Sequence, residues 1–138
     1  MKVIVDANVV IAALAKPSIT REVLLYPYIN YYSPDFLLTE LKEHENEIIE
    51  KVKVGYKAAL KLLIANIIIM PFAFYRPSLK EAQNIIGNID MDDEPYTALA
   101  LSLKVDGIWS YDSHFKKQNS VDILSTSDLL SAIRSGLV

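Results

Sequence analysis

Cysteine is absent from the 138-residue chain. The absence excludes a disulfide framework, a thiolate metal site and a cysteine nucleophile. It also favours a reducing compartment, so we expect the protein in the cytoplasm. An excess of basic residues is missing too, because 14 Lys and Arg face 17 Asp and Glu, for a net charge of −3. This acidic balance argues against a protein that coats nucleic acid through charge alone, but not against an enzyme that first binds a metal cation.

Long uninterrupted apolar runs are missing as well. Asp6 interrupts the N-terminal apolar stretch, so we do not expect a secretory signal there. Lys61 and Pro71 interrupt the apolar stretch at 58–74, which we do not expect to span a membrane. Apolar residues nevertheless make up 51% of the chain, which is enough for a hydrophobic core. At this length we expect one domain, residues 1–138.

Short β-branched segments alternate with helical segments along the chain. The pattern predicts strands at 2–5, 29–32, 67–70, 108–110 and 121–124. It predicts helices at 7–15, 19–28, 34–66 as two helices, 78–86, a segment starting near 94, and 125–137. Such alternation favours the α/β class, as a three-layer α/β/α domain with a central parallel sheet of four to five short strands.

Two segments have the composition of helix starts. Ser33 and Pro34 fit an N-cap followed by the first helical position, so we predict that a helix begins there. Ser125 with Asp128 three residues later resembles a capping box, which predicts the start of the last helix.

Acidic residues lie where the predicted sheet would bind a ligand, which is beyond the carboxyl ends of its strands. Asp6 directly follows the first strand, and Asp112 follows the strand at 108–110 by two residues. Asp93 lies at the start of the helix before that strand. Glu40 lies at the flank of the apolar face of a helix after the second strand. We therefore predict that these four carboxylates meet at one edge of the sheet.

Carboxylates held together repel each other unless a cation lies between them. Oxygen ligands without a Cys or a His pair favour Mg²⁺ or Mn²⁺ over zinc. Such an ion can activate water and bind a phosphate oxygen, whether the site holds one ion or two. Taken singly, each aspartate is equally well explained as a helix cap or a turn residue, and Glu40 as a solvated helix residue.

Polar residues near these acids have candidate supporting roles. Asn8 and Ser110 could orient Asp6 and Asp112 by hydrogen bonds, or could make only local turn contacts. His114 could assist the site, contact phosphate or serve the turn.

Lysines could supply phosphate contacts, which give sequence-independent affinity. Lys116 and Lys117 are the best placed, because they follow Asp112 closely. A second basic stripe is more simply explained as the solvated face of a helix. It consists of Lys53, Lys57 and Lys61.

These acidic segments, in this order, resemble the PIN domain family. Asp6-Ala7-Asn8 is similar to its opening Asp-x-Asn/Ser, and Leu38-Thr39-Glu40 to the segment that carries its glutamate. Residues 93–101 resemble its third acidic segment, and residues 108–115 its fourth, in which a strand ends in Thr/Ser-x-Asp. The resemblance covers residues 1 to about 130. It is imperfect at the third position, where Asp90, Asp92 and Asp93 all offer a carboxylate; we choose Asp93 and keep Asp90 as an accessory acid.

The resemblance implies a Mg²⁺- or Mn²⁺-dependent endoribonuclease that uses Asp6, Glu40, Asp93 and Asp112 for metal binding and catalysis. It implies an RNA substrate and a homodimer. The family includes VapC-like toxins that a small antitoxin protein neutralises, so the resemblance also suggests such a partner. The alternative is a catalytically weak PIN scaffold that acts through protein or RNA binding. A receiver-like phosphoryl-transfer domain fits less well, because the strand at 67–70 ends in Pro71 without an acid.

Overall fold

The strands form one fully parallel sheet. The computed structural model describes residues 1–52 and 55–138, and within them the strand order is β3-β2-β1-β4-β5. The strands are β1 (Lys2–Val5), β2 (Asn30–Pro34), β3 (Ile67–Met70), β4 (Gly107–Trp109) and β5 (Ile123–Leu124). This topology confirms the predicted α/β class and the central parallel sheet.

Helices cover both faces of the sheet. They are α1 (Ala7–Ala15), α2 (Ile19–Leu24), α3 (Phe36–Glu43), α4 (Glu45–Val52), α5 (Tyr56–Ala65), α6 (Phe72–Tyr75), α7 (Leu79–Ala82), α8 (Glu94–Leu103) and α9 (Thr126–Arg134). A π-helical turn follows α7, and three 3-10 segments complete the described helical structure; these are Gln83–Gly87, Arg76–Ser78, Met91–Asp93 and Ser113–Lys117. Among the described residues, no helix is long and apolar enough to cross a membrane.

The central strand β1 is buried from both sides. Val3 and Val5 pack with α1–α5 and α9 on one face, and Ile4 packs with α6–α8 on the other. Successive strand residues point to opposite faces, so burial on both faces requires an uninterrupted apolar strand. β1 therefore ends at Val5, and the next residue, Asp6, is the first polar one after the buried part of the strand and lies at the carboxyl edge of the sheet.

The predicted helix start at Ser33-Pro34 is wrong. Both residues end β2, where they pair with β3, and α3 begins only at Phe36. The Ser33 hydroxyl, which was expected to cap a helix, instead donates to the backbone oxygen of Val5 at 2.9 Å, a residue distant in sequence. Pro34 has no N–H to donate to a neighbouring strand, and β2 ends at this residue.

Other boundaries differ from the prediction in length or number. The segment predicted as two helices forms three, with breaks at His44 and at Gly55, whose φ of 77° suits glycine. The predicted helix at 78–86 is a short α7 that continues into the π-helical turn. The capping box that opens α9 is confirmed, because Ser125 and Asp128 exchange hydrogen bonds with each other's backbone N–H.

Candidate active site

Asp6 is the acid closest to the sheet. Its backbone N–H donates to the oxygen of Trp109 at 3.1 Å, which fixes it between the ends of β1 and β4. The side chain is 5% exposed and accepts hydrogen bonds from Ala7 N at 2.8 Å and from the Ser110 hydroxyl at 2.6 Å. Burial nevertheless raises the pKa of Asp6 to about 6, since it outweighs these two hydrogen bonds.

Ser110 connects the loops after β1 and β4. While its hydroxyl donates to Asp6, the same oxygen accepts from the backbone N of Asp112 at 2.9 Å and from Asn8 Nδ2 at 3.4 Å. The other side-chain atom of Asn8, Oδ1, accepts from the backbone N of Tyr111 at 3.3 Å. The segment that carries Asp112 is thereby held at a defined position relative to Asp6.

Asp93 is the most buried acid of the cleft. It is the last residue of the 3-10 segment that precedes α8, is 4% exposed, and its Oδ2 is buried without a hydrogen-bond partner among the described residues. Burial, followed by the charges of Asp112, Asp90, Asp6 and Glu40, raises the pKa of Asp93 to about 8. A buried carboxylate oxygen with no partner is costly, so the site is suited to a cation that would satisfy it.

Glu40 reaches the site from α3, on the helix flank where the sequence placed it. Leu37 and Leu41 are buried, whereas Glu40 is half-buried and accepts a hydrogen bond from the hydroxyl of the buried Tyr96 on α8. Burial, more than the nearby charge of Asp6, raises the pKa of Glu40 to about 7. The contact fixes one carboxylate oxygen, Oε1, and links α3 to α8 across the site.

One cleft collects these side chains. It has a volume of about 170 Å³, and no Lys or Arg is among its described lining residues. Its acidic lining comprises Asp6, Glu40, Asp90, Asp92, Asp93 and Asp112. The structure thus brings together all four acids selected from the sequence, with no cationic side chain in the described lining to balance them.

Three of the cleft acids form a tighter group with a histidine. Asp90, Asp93, Asp112 and His114 each offer a ligand atom, and these atoms lie within 4.8 Å of one another. His114 Nδ1 is 3.1 Å from Asp90 Oδ2 and 3.4 Å from Asp112 Oδ1. Asp90 therefore lies among the candidate ligands, whereas Asp92 is exposed.

Sequence reasoning identified His114 but did not place it among the acids. A usable signal was present, since a residue two positions after Asp112 in a short turn can return to the same carboxylate. The contact between Glu40 and Tyr96 had no such signal, because 56 positions separate the two residues.

The lysines selected for substrate binding follow Asp112 in the chain and are not among the described residues that line the cleft. Lys116 and Lys117 are exposed at the end of the 3-10 segment that follows Asp112. Of the second basic stripe, Lys57 and Lys61 are exposed on α5, and Lys53 lies outside the described residues.

The donor set suits a hard divalent cation. Carboxylate oxygens dominate it, which fits Mg²⁺ or Mn²⁺ better than zinc, and no cysteine is available. A comparison with curated proteins finds no match. The family model described as the PIN domain matches residues 4–130, which include every acid of the cleft. The chain therefore belongs to the PIN domain family.

Proposed function

We propose that the protein is a metal-dependent endoribonuclease that hydrolyses RNA phosphodiester bonds in the acidic cleft. PIN domains are generally nucleases. The observation that carries the proposal is the buried Asp93 Oδ2, which has no partner among the described residues and belongs to a carboxylate surrounded by other carboxylates. A divalent cation would satisfy this oxygen and offset the repulsion among its neighbours.

The residue roles follow from position in the cleft. We assign metal binding and catalysis to Asp6, Glu40, Asp93 and Asp112, with Mg²⁺ or Mn²⁺ as the cation. We assign Asn8 and Ser110 as positioning residues and Asp90 as an accessory acid.

Glu40 is the best placed group to take up a proton. When bound, the divalent cation would act as a Lewis acid and would lower the pKa of the water molecule bound to it. Glu40 Oε1 accepts the hydrogen bond of Tyr96, so Oε2 is the atom left to accept a proton from the attacking water. With the pKa of Glu40 raised to about 7, this carboxyl can exchange a proton near neutral pH.

We assign substrate binding to the two lysines that closely follow Asp112 in the chain. Lys116 and Lys117 are exposed within five residues of Asp112 and can contact the RNA backbone on either side of the cleaved phosphate. We do not extend this role to His114, because its Nδ1 already contacts Asp90 and Asp112.

Cleavage assays test the proposed function directly. Purified protein is incubated with end-labelled single-stranded and hairpin RNA oligonucleotides in Mn²⁺, in Mg²⁺ or in EDTA. We expect internal cleavage only with a metal present. Cleavage that persists in EDTA would contradict the mechanism. Metal binding without cleavage of any RNA would instead favour the catalytically weak scaffold.

Ser110→Ala tests how the acids are positioned. The substitution removes the hydroxyl that donates to Asp6 and accepts from Asp112 N, and we expect metal affinity to fall roughly 10-fold. Isothermal titration with Mn²⁺ measures the change. Ser110→Thr is the matched control, since it keeps the hydroxyl and should keep most of the affinity. Equal losses in both variants would show that packing, and not the hydrogen bonds, is responsible.

Partners form the last part of the proposal. Following the family resemblance, we propose that the protein acts in the cytoplasm as a homodimer and is the toxin of a toxin–antitoxin pair with a small antitoxin protein. Exposed apolar side chains that could contact partner chains include Tyr28, Leu62 and Ile68, at 72%, 59% and 50% exposure. Light scattering of the purified chain tests the dimer. Co-expression with the product of an adjacent small reading frame tests the antitoxin, which should co-purify and suppress cleavage.

A further inference from the structure

His114 occupies a position among the cleft acids that a purely structural histidine would not need. Its Nδ1 lies 3.1 Å from Asp90 Oδ2 and 3.4 Å from Asp112 Oδ1, and its side chain is 43% exposed. Its backbone N–H already caps the turn by donating to Asp112 Oδ1 at 2.8 Å. The imidazole is therefore not required to close the turn.

A second observation indicates that this group of side chains binds a ligand. Asp93 belongs to the same group, is 4% exposed, and has a buried Oδ2 with no hydrogen-bond partner among the described residues. His114 does not satisfy that oxygen, although it contacts the carboxylates on either side. A cation bound within the group would satisfy Asp93, and it would lie within reach of the imidazole because all four ligand atoms are within 4.8 Å of one another.

We propose that His114 and Asp90 are metal ligands of this chain, and that the imidazole makes the site prefer Mn²⁺ to Mg²⁺. The inference rests on the proposed function, since it concerns the cation of the same cleft. Mg²⁺ takes oxygen ligands and retains its waters, so an imidazole adds little to its binding. Mn²⁺ also favours oxygen ligands, but as a first-row transition metal it accepts a nitrogen ligand more readily than Mg²⁺ does, and the affinity for such sites rises from Mn²⁺ through the later divalent metals. The mixed set of three carboxylates and one imidazole therefore discriminates between the two ions.

The main alternative gives His114 the opposite effect on metal affinity. A protonated imidazole could itself balance Asp90 and Asp112, and an added metal would then have to displace that charge. Removing the ring would in that case strengthen the binding of both metals. Under the proposed ligation, removing the ring weakens Mn²⁺ binding and changes Mg²⁺ binding much less. The sign of the change separates the two interpretations.

The chain provides a matched control, because it contains two histidines. The other, His44, lines the cleft, but its ring is 3.7 Å from Glu47 Oε2 and it is not part of the group formed by Asp90, Asp93, Asp112 and His114. The test compares His114→Gln with His44→Gln, in protein freed of any affinity tag that carries histidine. Glutamine keeps a polar side chain of similar length but lacks the aromatic nitrogen.

Two readouts that do not depend on activity are measured. Calorimetric titration gives the Mn²⁺ and Mg²⁺ affinities, and pulsed electron paramagnetic resonance of bound Mn²⁺ detects coupling to an imidazole nitrogen. We expect nitrogen coupling in the wild type and in His44→Gln, and its loss in His114→Gln. We also expect His114→Gln to weaken Mn²⁺ binding roughly 10-fold or more, with a much smaller change for Mg²⁺. Asp90→Asn should weaken the binding of both ions.

The outcomes separate this inference from the proposed function. A wild type that binds Mn²⁺ without nitrogen coupling, or a His114→Gln variant that binds both metals as well as or better than wild type, overturns the ligation by His114. Unchanged affinities in Asp90→Asn overturn the role of Asp90. Neither result contradicts the proposed ribonuclease function. Nitrogen coupling in a protein that cleaves no RNA would uphold the metal site and refute the proposed function.

Discussion

Asp93→Asn is expected to lower metal-dependent RNA cleavage by about 100-fold or more, because a bound metal contributes several kcal/mol to the transition state and each 1.36 kcal/mol is tenfold in rate. The substitution keeps the shape of the side chain but removes the charge of the one acid whose buried oxygen has no partner among the described residues. Single-turnover cleavage rates at saturating RNA and fixed Mn²⁺ measure the loss.

Asp122→Asn is the matched control for this variant. Asp122 precedes β5 and lies at the amino edge of the sheet, away from the cleft, and its side chain is exposed. The two substitutions change the net charge equally, so a general electrostatic effect on RNA binding would appear in both. A rate for Asp93→Asn within tenfold of the control would rule out an essential role for Asp93.

The same variant should be more stable than the wild type when metal is absent. The pKa of Asp93 is raised to about 8, so at about pH 9 the wild type holds an ionised carboxylate among like charges. Asparagine removes that charge. A higher melting temperature in EDTA, together with lost cleavage, would show that Asp93→Asn loses function and not structure. Trading stability for a site of this kind is common in enzymes.

The acids that the sequence located best are those attached to strand ends. Asp6 and Asp112 follow buried strands of a parallel sheet, and parallel strands end at a common edge. Burial on both faces makes β1 and β4 continuous apolar segments, so the residue at which each ends is visible in the sequence. The general location of the cleft is therefore a consequence of local pattern and sheet geometry.

Contacts between side chains distant in sequence could not be predicted from local pattern and sheet geometry. Asp90 and His114 approach each other only because a π-helical turn and two 3-10 segments direct their loops to one point, and these short forms carry little sequence signal. The predicted helix start at Ser33-Pro34 was wrong for a related reason. Its local helix preference is overridden by pairing with β3 and by the hydrogen bond to Val5.

The metal-free protein is expected to lose stability as the pH rises from about 4 to about 8. Three acids of the cleft have raised pKa values, about 6 for Asp6, about 7 for Glu40 and about 8 for Asp93. A carboxyl with a raised pKa binds its proton more tightly in the folded state than in the unfolded state. Its stabilising effect is therefore complete below the ordinary pKa and disappears as the pH passes the raised value. Melting temperatures measured in EDTA across this range test the trend.

A divalent cation should reverse the trend, because it binds the ionised carboxylates. The stabilisation by metal therefore grows with pH, and at a metal concentration 100 times the dissociation constant it reaches about 2.7 kcal/mol. Asp128, whose pKa is lowered by its capping hydrogen bonds, acts with the opposite sign and at more acidic pH, so it does not mask the effect. Glu40→Gln should flatten the metal-free profile near pH 7, where Glu40 titrates. A metal-free melting temperature that instead rises steadily from about pH 5 to about pH 8 would mean that the cleft acids are already balanced without a cation, and the case for a metal site in this chain would fail.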